Sequence, residues 1–174
     1  LEKAGLLVRS EERGSYYDRF RGRIMFPIFD QSSRVIGFGG RIFEEVPTRT
    51  AVRTPASPSA PSGDAGAKYI NTPQTLIYDK SRVLYGFDKA KQDIRVQGAA
   101  VLVEGYMDCV MSYQAGVKHT IAVSGTALTP QQIGVLKRLT DTLLFSFDTD
   151  AAGESATKRS LSLAAEFDFE RKII

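Results

Sequence analysis

Apolar and polar positions follow two different rhythms along this 174-residue chain. In the first part the apolar residues gather in short strand-like runs. Arg23-Ile24-Met25-Phe26-Pro27-Ile28-Phe29 and Arg34-Val35-Ile36-Gly37-Phe38 read as two strands joined by a turn at Asp30-Gln31-Ser32-Ser33, which predicts a hairpin. Gly39-Gly40 then permits a tight backbone before Arg41. Residues 44 to 66 interrupt the pattern: Pro47, Pro55, Pro58 and Pro61 stand among Thr, Ala, Ser and Gly, a composition unable to bury enough apolar surface to fold alone. A flexible surface loop is predicted there. After it, Lys68-Tyr69-Ile70-Asn71-Thr72-Pro73 is extended into a turn, and Asp88 to Asp93 reads as a short helix.

From residue 99 the rhythm becomes regular β-α alternation. A strand at Ala100–Val103 leads to an apolar-faced helix from about Met107 to Ala115, closed by Gly116, and to a strand at His119–Val123. Thr129-Pro130-Gln131-Gln132 places a capping threonine, a proline at the first helical position and a glutamine at the third, opening a helix to about Leu139. A strand over 142 to 147 follows. Ala151-Ala152-Gly153 opens a last helix to about Phe167, with Glu154 and Lys158 at supportive spacing, and the chain ends as another strand begins. Strands and helices alternating in this way imply a parallel sheet with right-handed crossovers. The predicted architecture is therefore an α/β lobe from residue 97 to 174, preceded by a smaller mixed α+β lobe over residues 1 to 96.

Two of the predicted strands end abruptly in acid. Ala100-Val101-Leu102-Val103 runs into Glu104, and Leu143-Leu144-Phe145-Ser146-Phe147 runs into Asp148-Thr149-Asp150. Polar residues just past the carboxyl end of a parallel strand sit where open α/β sheets bind ligands. If these two strands, the first and third of the α/β lobe, lie side by side, three carboxylates share one crevice, an arrangement that calls for divalent cations such as Mg²⁺ or Mn²⁺. The sequence does not fix that strand order.

Composition adds bounds. With 43% hydrophobic and 25% charged residues the chain is of soluble globular type. No apolar stretch reaches membrane-spanning length and no signal peptide opens the chain, so a cytoplasmic protein with no membrane partner is expected. Cys109 has no metal-ligand spacing around it and reads as a packed apolar side chain; His119 reads as structural. A net charge of +3 and a pI near 9.0 suit a polyanionic partner without deciding for one. The chain opens on Leu1 and closes on Ile173-Ile174, and is expected to be a piece of a longer protein.

The ordered motifs carry a resemblance. Val103-Glu104-Gly105-Tyr106-Met107-Asp108, Ser124-Gly125-Thr126-Ala127-Leu128 and Phe147-Asp148-Thr149-Asp150-Ala151-Ala152-Gly153 resemble the Toprim domain of primases, topoisomerases and some nucleases. Upstream, Tyr17-Asp18-Arg19-Phe20-Arg21-Gly22-Arg23, Gly37-Phe38-Gly39-Gly40-Arg41, Lys68-Tyr69-Ile70-Asn71-Thr72-Pro73 and Ile77-Tyr78-Asp79-Lys80 resemble the bacterial replicative DNA primase (DnaG) family, inside its RNA polymerase core. The resemblance implies a Toprim-type parallel sheet with flanking helices. It also implies synthesis of RNA primers on single-stranded DNA from ribonucleoside triphosphates, with an RNA-DNA hybrid as product and a replicative helicase as partner through a domain absent here. Glu104, Asp148 and Asp150 are the implied catalytic residues, with Asp148 and Asp150 as metal ligands and Glu104 as ligand or proton acceptor. Asp108 supports the site or merely starts a helix.

By the same resemblance Arg41, Lys68 and Lys80 contact triphosphate or template phosphates. Arg19, Arg21 and Arg23 are weaker candidates for tracking DNA, and Tyr69 and Asn71 for placing the nucleotide. Gly125-Thr126 is either a phosphate cradle or a plain strand-to-helix turn. Thr149 stands where the family has glycine, and the family's further acidic motif has no counterpart before the chain stops. No cysteine and histidine cluster is present for the family's zinc module, so no zinc is expected. The rival readings are a topoisomerase or nuclease piece sharing only the acids, and a nucleic-acid-binding scaffold without catalysis.

Overall fold

The computed structural model describes residues 1–10, 14–43, 67–124, 127–148 and 151–174, with side chains from Ser155 onward in the last segment. The predicted loop at 44–66, Gly125-Thr126, Thr149, Asp150 and the Glu154 side chain lie outside the described residues. The chain divides into two compact units, one of residues 1–27 and 37–75 and one of residues 28–36 and 76–174.

In the first unit, β1 (Leu7–Arg9) and β2 (Tyr16–Asp18) form a two-stranded antiparallel ladder that the sequence pattern does not announce, because three residues are too few to show a period. The predicted hairpin is present as β3 (Arg23–Phe29) and β4 (Val35–Ile42), and β5 (Tyr69–Asn71) completes the sheet in the order β3-β4-β5. Pro27 has no amide to give a ladder, and β3 lies at the edge. Asp30 builds the turn: its Oδ1 accepts the amides of Ser32 and Arg34 at 2.8 and 3.0 Å, and these bonds, the Arg34 amide foremost, hold its carboxyl below the usual range. The backbone does not turn at Gly39-Gly40, as the glycines suggest. β4 continues through both, paired with Asn71 and Ile70, and a Cβ on Gly40 would come within 2.7 Å of the Phe20 ring.

The second unit holds a three-layer sandwich. α1 (Phe87–Gln97) is longer than the helix predicted over 88 to 93, because Phe87, Ala90 and Ile94 extend one apolar face from Gly86 to the left-handed Gly98. It leads to β6 (Ala100–Val103), α2 (Tyr106–Gln114), β7 (Thr120–Ala122), α3 (Pro130–Leu136), β8 (Thr142–Ser146), α4 (Ala151–Glu166) and β9 (Glu170–Ile173). The four strands are parallel in the order β7-β6-β8-β9. Every residue of β6 is buried, as its uninterrupted apolar run requires of a strand covered on both faces. Ala100 and Leu102 pack with Ile94, Ile133, Leu136, Phe145 and Ala164 from the side of α1, α3 and α4; Val101 and Val103 meet Cys109 of α2 on the other side. Tyr85 adds an antiparallel bridge outside β7, exchanging both backbone hydrogen bonds with Ala122 at 2.9 and 3.0 Å.

Candidate active site

The chain winds from β6 to β7 in one direction and then to β8 in the other, so the sheet reverses between the carboxyl ends of β6 and β8. Open α/β sheets bind ligands at such a reversal. Glu104 follows β6 there, and Asp148 follows β8. In the parallel register Val103 faces Ser146, which sets Glu104 and Asp148 side by side past the last ladder pair. The Asp148 amide donates to Glu104 Oε1 at 2.9 Å, and the Ser124 amide donates to the Glu104 carbonyl at 2.9 Å. The strand adjacency that the sequence left open is thus observed. Asp148 itself is exposed.

Asp108 starts a helix: its Oδ2 accepts the Gly105 amide at 3.0 Å, closing the first turn of α2. Behind this turn Tyr106 is buried, and burial pushes its hydroxyl pKa well above the ordinary tyrosine value, with Tyr78 close enough to push it further. The Tyr78 hydroxyl is itself raised to about 12 by burial. Tyr78 leads into a 3₁₀ turn at Lys80–Arg82, whose start is closed by Asp79 Oδ1 accepting the Ser81 amide at 3.0 Å. Lys80 is half-buried, and the lost hydration lowers its ammonium pKa.

The remaining cations and their neighbours belong to the first unit. Arg41 sits opposite Tyr69 across β4 and β5, its guanidinium carbon 5.8 Å from the ring centroid. Lys68 is exposed, and its carbonyl accepts the Ile42 amide at 2.9 Å. Arg23 Nη1 donates to the Ala67 carbonyl at 2.9 Å and to the Gly40 carbonyl at 3.3 Å, so this candidate braces the turn that carries Lys68. Arg19 Nε donates to the Asn71 carbonyl at 3.3 Å, and Arg21 stacks over Tyr17 with its guanidinium carbon 4.7 Å from the ring centroid. The structure brings Glu104 and Asp148 together in one unit and Arg41, Lys68, Tyr69 and Asn71 together in the other. Asp150 lies outside the described residues. Among the described residues no three His, Cys, Asp or Glu side chains gather around one point. The pair that does meet offers only hard oxygen donors, which fit Mg²⁺ or Mn²⁺.

Two features of this region escape sequence reading. The Ser124 backbone is left-handed at φ 57° beside the Glu104 carbonyl, and the α3 capping residues reach far outside their helix. Neither leaves a local signal, since both depend on contacts made by folding.

A parallel sheet reversed at its acidic edge defines a Toprim-like domain, and residues 101–174 match the family described as Toprim-like. Residues 1–91 match the family described as the DNA primase catalytic core, N-terminal domain. The chain belongs to the DNA primase family. The DNA primase of Clostridium acetobutylicum is 38% identical over 174 residues, all of this chain and 26% of that protein. The chain thus spans about a quarter of the length of the curated relatives it matches. The Aquifex aeolicus primase, solved with its zinc-binding and RNA polymerase domains, superposes with a TM-score of 0.80 at 32% identity, over 99% of this chain and 38% of that one. A DnaG primase catalytic domain bound to ssDNA superposes at 0.78 and 36% identity, over 100% of this chain and 49% of that one. Domains of these families depend in general on divalent cations. No helix among the described residues is long and apolar enough to cross a membrane.

Proposed function

We propose that this chain forms part of an enzyme that makes RNA primers on single-stranded DNA, joining ribonucleoside triphosphates by metal-dependent nucleotidyl transfer in the cytoplasm. The supporting observation is the meeting of Glu104 and Asp148 at the reversal point of the parallel sheet, 2.9 Å apart through the Asp148 amide. Glu104, Asp148 and Asp150 hold Mg²⁺ or Mn²⁺ in this reading. A divalent cation bound there stabilises charge on the attacking and leaving oxygens. A carboxylate clasped by a backbone amide keeps one orientation, which suits a metal ligand better than a group that must follow a moving proton, so Glu104 is assigned as ligand. Asp108 acts indirectly, by fixing the turn that follows Glu104.

Lys80 lies in the same unit as the acids, where its partial burial strengthens its attraction for a triphosphate oxygen. Arg41 and Lys68 contact phosphates of the template or the RNA-DNA hybrid; the ssDNA held by the similar DnaG domain supports this. Tyr69 and Asn71 shape the Arg41 surface, Arg19 and Arg23 support it through the contacts already given, and Arg21 is a candidate for tracking DNA. The functional division is placed near residue 97, with the Toprim lobe beyond it. Segments outside this chain supply the helicase contact.

The test is RNA synthesis on a single-stranded DNA template with labelled ribonucleotides, in Mg²⁺ and in Mn²⁺, by this chain and by a version extended past Ile174. Primers that vanish with Asp148→Ala support the reading. Template binding that ignores both metal and Asp148→Ala, with no RNA made by the extended form, overturns it.

A further inference from the structure

The start of α3 does more than begin a helix. Thr129 Oγ1 accepts the Gln132 amide at 3.1 Å and Gln132 Oε1 accepts the Thr129 amide at 3.1 Å, which closes the capping box. Both side chains then reach a segment about fifty residues earlier in the chain. Gln132 Nε2 donates to the carbonyls of Lys80 and Val83 at 3.2 and 2.8 Å, and the Thr129 hydroxyl donates to the Ser81 carbonyl. Gln132 is fully buried, and with two donated bonds and one accepted its amide has a partner on each donor and on its oxygen. A glutamate would serve a capping box equally well. It could not give two hydrogens to two carbonyls, so the amide answers to the lysine turn rather than to the helix.

The far end of the same connection is fixed as well. Ser124, where it leaves β7, is tied to the Glu104 carbonyl, and the Leu128 amide donates to the buried Ser160 hydroxyl of α4 at 3.2 Å. Asp79 and Asp88 flank the turn in the sequence: Asp79 is engaged with Ser81, and the buried Asp88 carboxylate lies 3.3 Å from Lys89.

We infer that Gln132, helped by Thr129, is a positioning residue that fixes the Lys80 ammonium for contact with nucleotide phosphate, acting through the backbone of the 80–83 turn. This rests on the reading of Lys80 as a phosphate contact. Without the clamp three carbonyls lose their donors, the turn opens, and Lys80 regains water and rotamer freedom.

The experiment compares this chain with Gln132→Met, Lys80→Ala, the double variant and Thr129→Val, each checked for folding by thermal melting. Two readouts are taken: titration of the Lys80 amine by NMR, and binding of MgATP. Burial depresses the Lys80 pKa, so release is expected to move its titration up, toward the ordinary lysine value, in both Gln132→Met and Thr129→Val. MgATP affinity is expected to fall about tenfold in Gln132→Met and to fall no further when Gln132→Met is added to Lys80→Ala. Thr129→Ser, which keeps the hydroxyl, restores both readouts.

A Lys80 titration that does not move in Gln132→Met or Thr129→Val overturns the inference. So does an additional loss of affinity in the Lys80→Ala background. Unchanged MgATP affinity in Lys80→Ala, with the titration still moved by Gln132→Met, is a different result: it removes Lys80 from phosphate contact and strikes the functional reading while the clamp stands.

Discussion

A carboxylate held by a backbone amide keeps its orientation whether or not it carries charge, and Glu104 offers a way to separate the two. Glutamine at this position can still accept the Asp148 amide through its carbonyl oxygen, so Glu104→Gln is expected to melt within about 3 °C of the parent. If Glu104 is a ligand as proposed, its Mn²⁺ affinity is expected to fall about tenfold or more, since the change removes the charge and keeps the backbone bond. Calorimetric titration beside a melting curve checks both, and a large fall in melting temperature would show that the charge, not the bond, holds the edge together. At this scale the acids were legible because each ends an apolar run. Gln132 was legible only as half of a capping box: its other partners stand 52 and 49 residues away, and no local spacing encodes them. The same limit applies to Tyr78 and Tyr106, whose burial comes from the approach of two separate segments.

Among the elements, the parallel strands and their helices followed from period and caps, and the reversed order that brings β6 beside β8 matched the expectation that placed the acids together. Boundaries were less legible. β4 runs through Gly39-Gly40 because its partner β5 lies beyond the 44–66 stretch, and α1 begins earlier because Gly86 adopts a left-handed φ of 79° that frees Phe87 to enter the core. That glycine is doubly constrained: a Cβ there would stand 2.8 Å from the Cys109 sulfur. Gly86→Ala is therefore expected to cost about 1–3 kcal/mol in chemical denaturation. Adding Cys109→Ala recovers only the steric part, because the backbone conformation remains unfavourable. Full recovery in the double variant would mean that φ carries none of the cost.

For the whole molecule, charge is the property that acts at a distance. A net charge of +3 is too small to identify a nucleic-acid ligand, and only the ordered motifs made the family legible. Binding of single-stranded DNA by this chain is expected to weaken linearly in log affinity against log salt, and Arg41→Ala to reduce that slope by about 0.7, the release of one phosphate contact. Fluorescence anisotropy at several salt concentrations measures it; an unchanged slope places Arg41 away from the backbone of the DNA. The clasp between Asp148 and Glu104 joins residues 44 positions apart, at the ends of the two neighbouring inner strands, of which β6 is made first. During synthesis at about 5–20 residues per second, Glu104 waits some seconds for its partner, through the whole of α2, β7 and α3. Formation of that contact therefore marks the docking of β8, with only β9 still to join, rather than the sheet's first collapse, and a ribosome-bound chain halted before β8 carries Glu104 without the amide that orients its carboxylate.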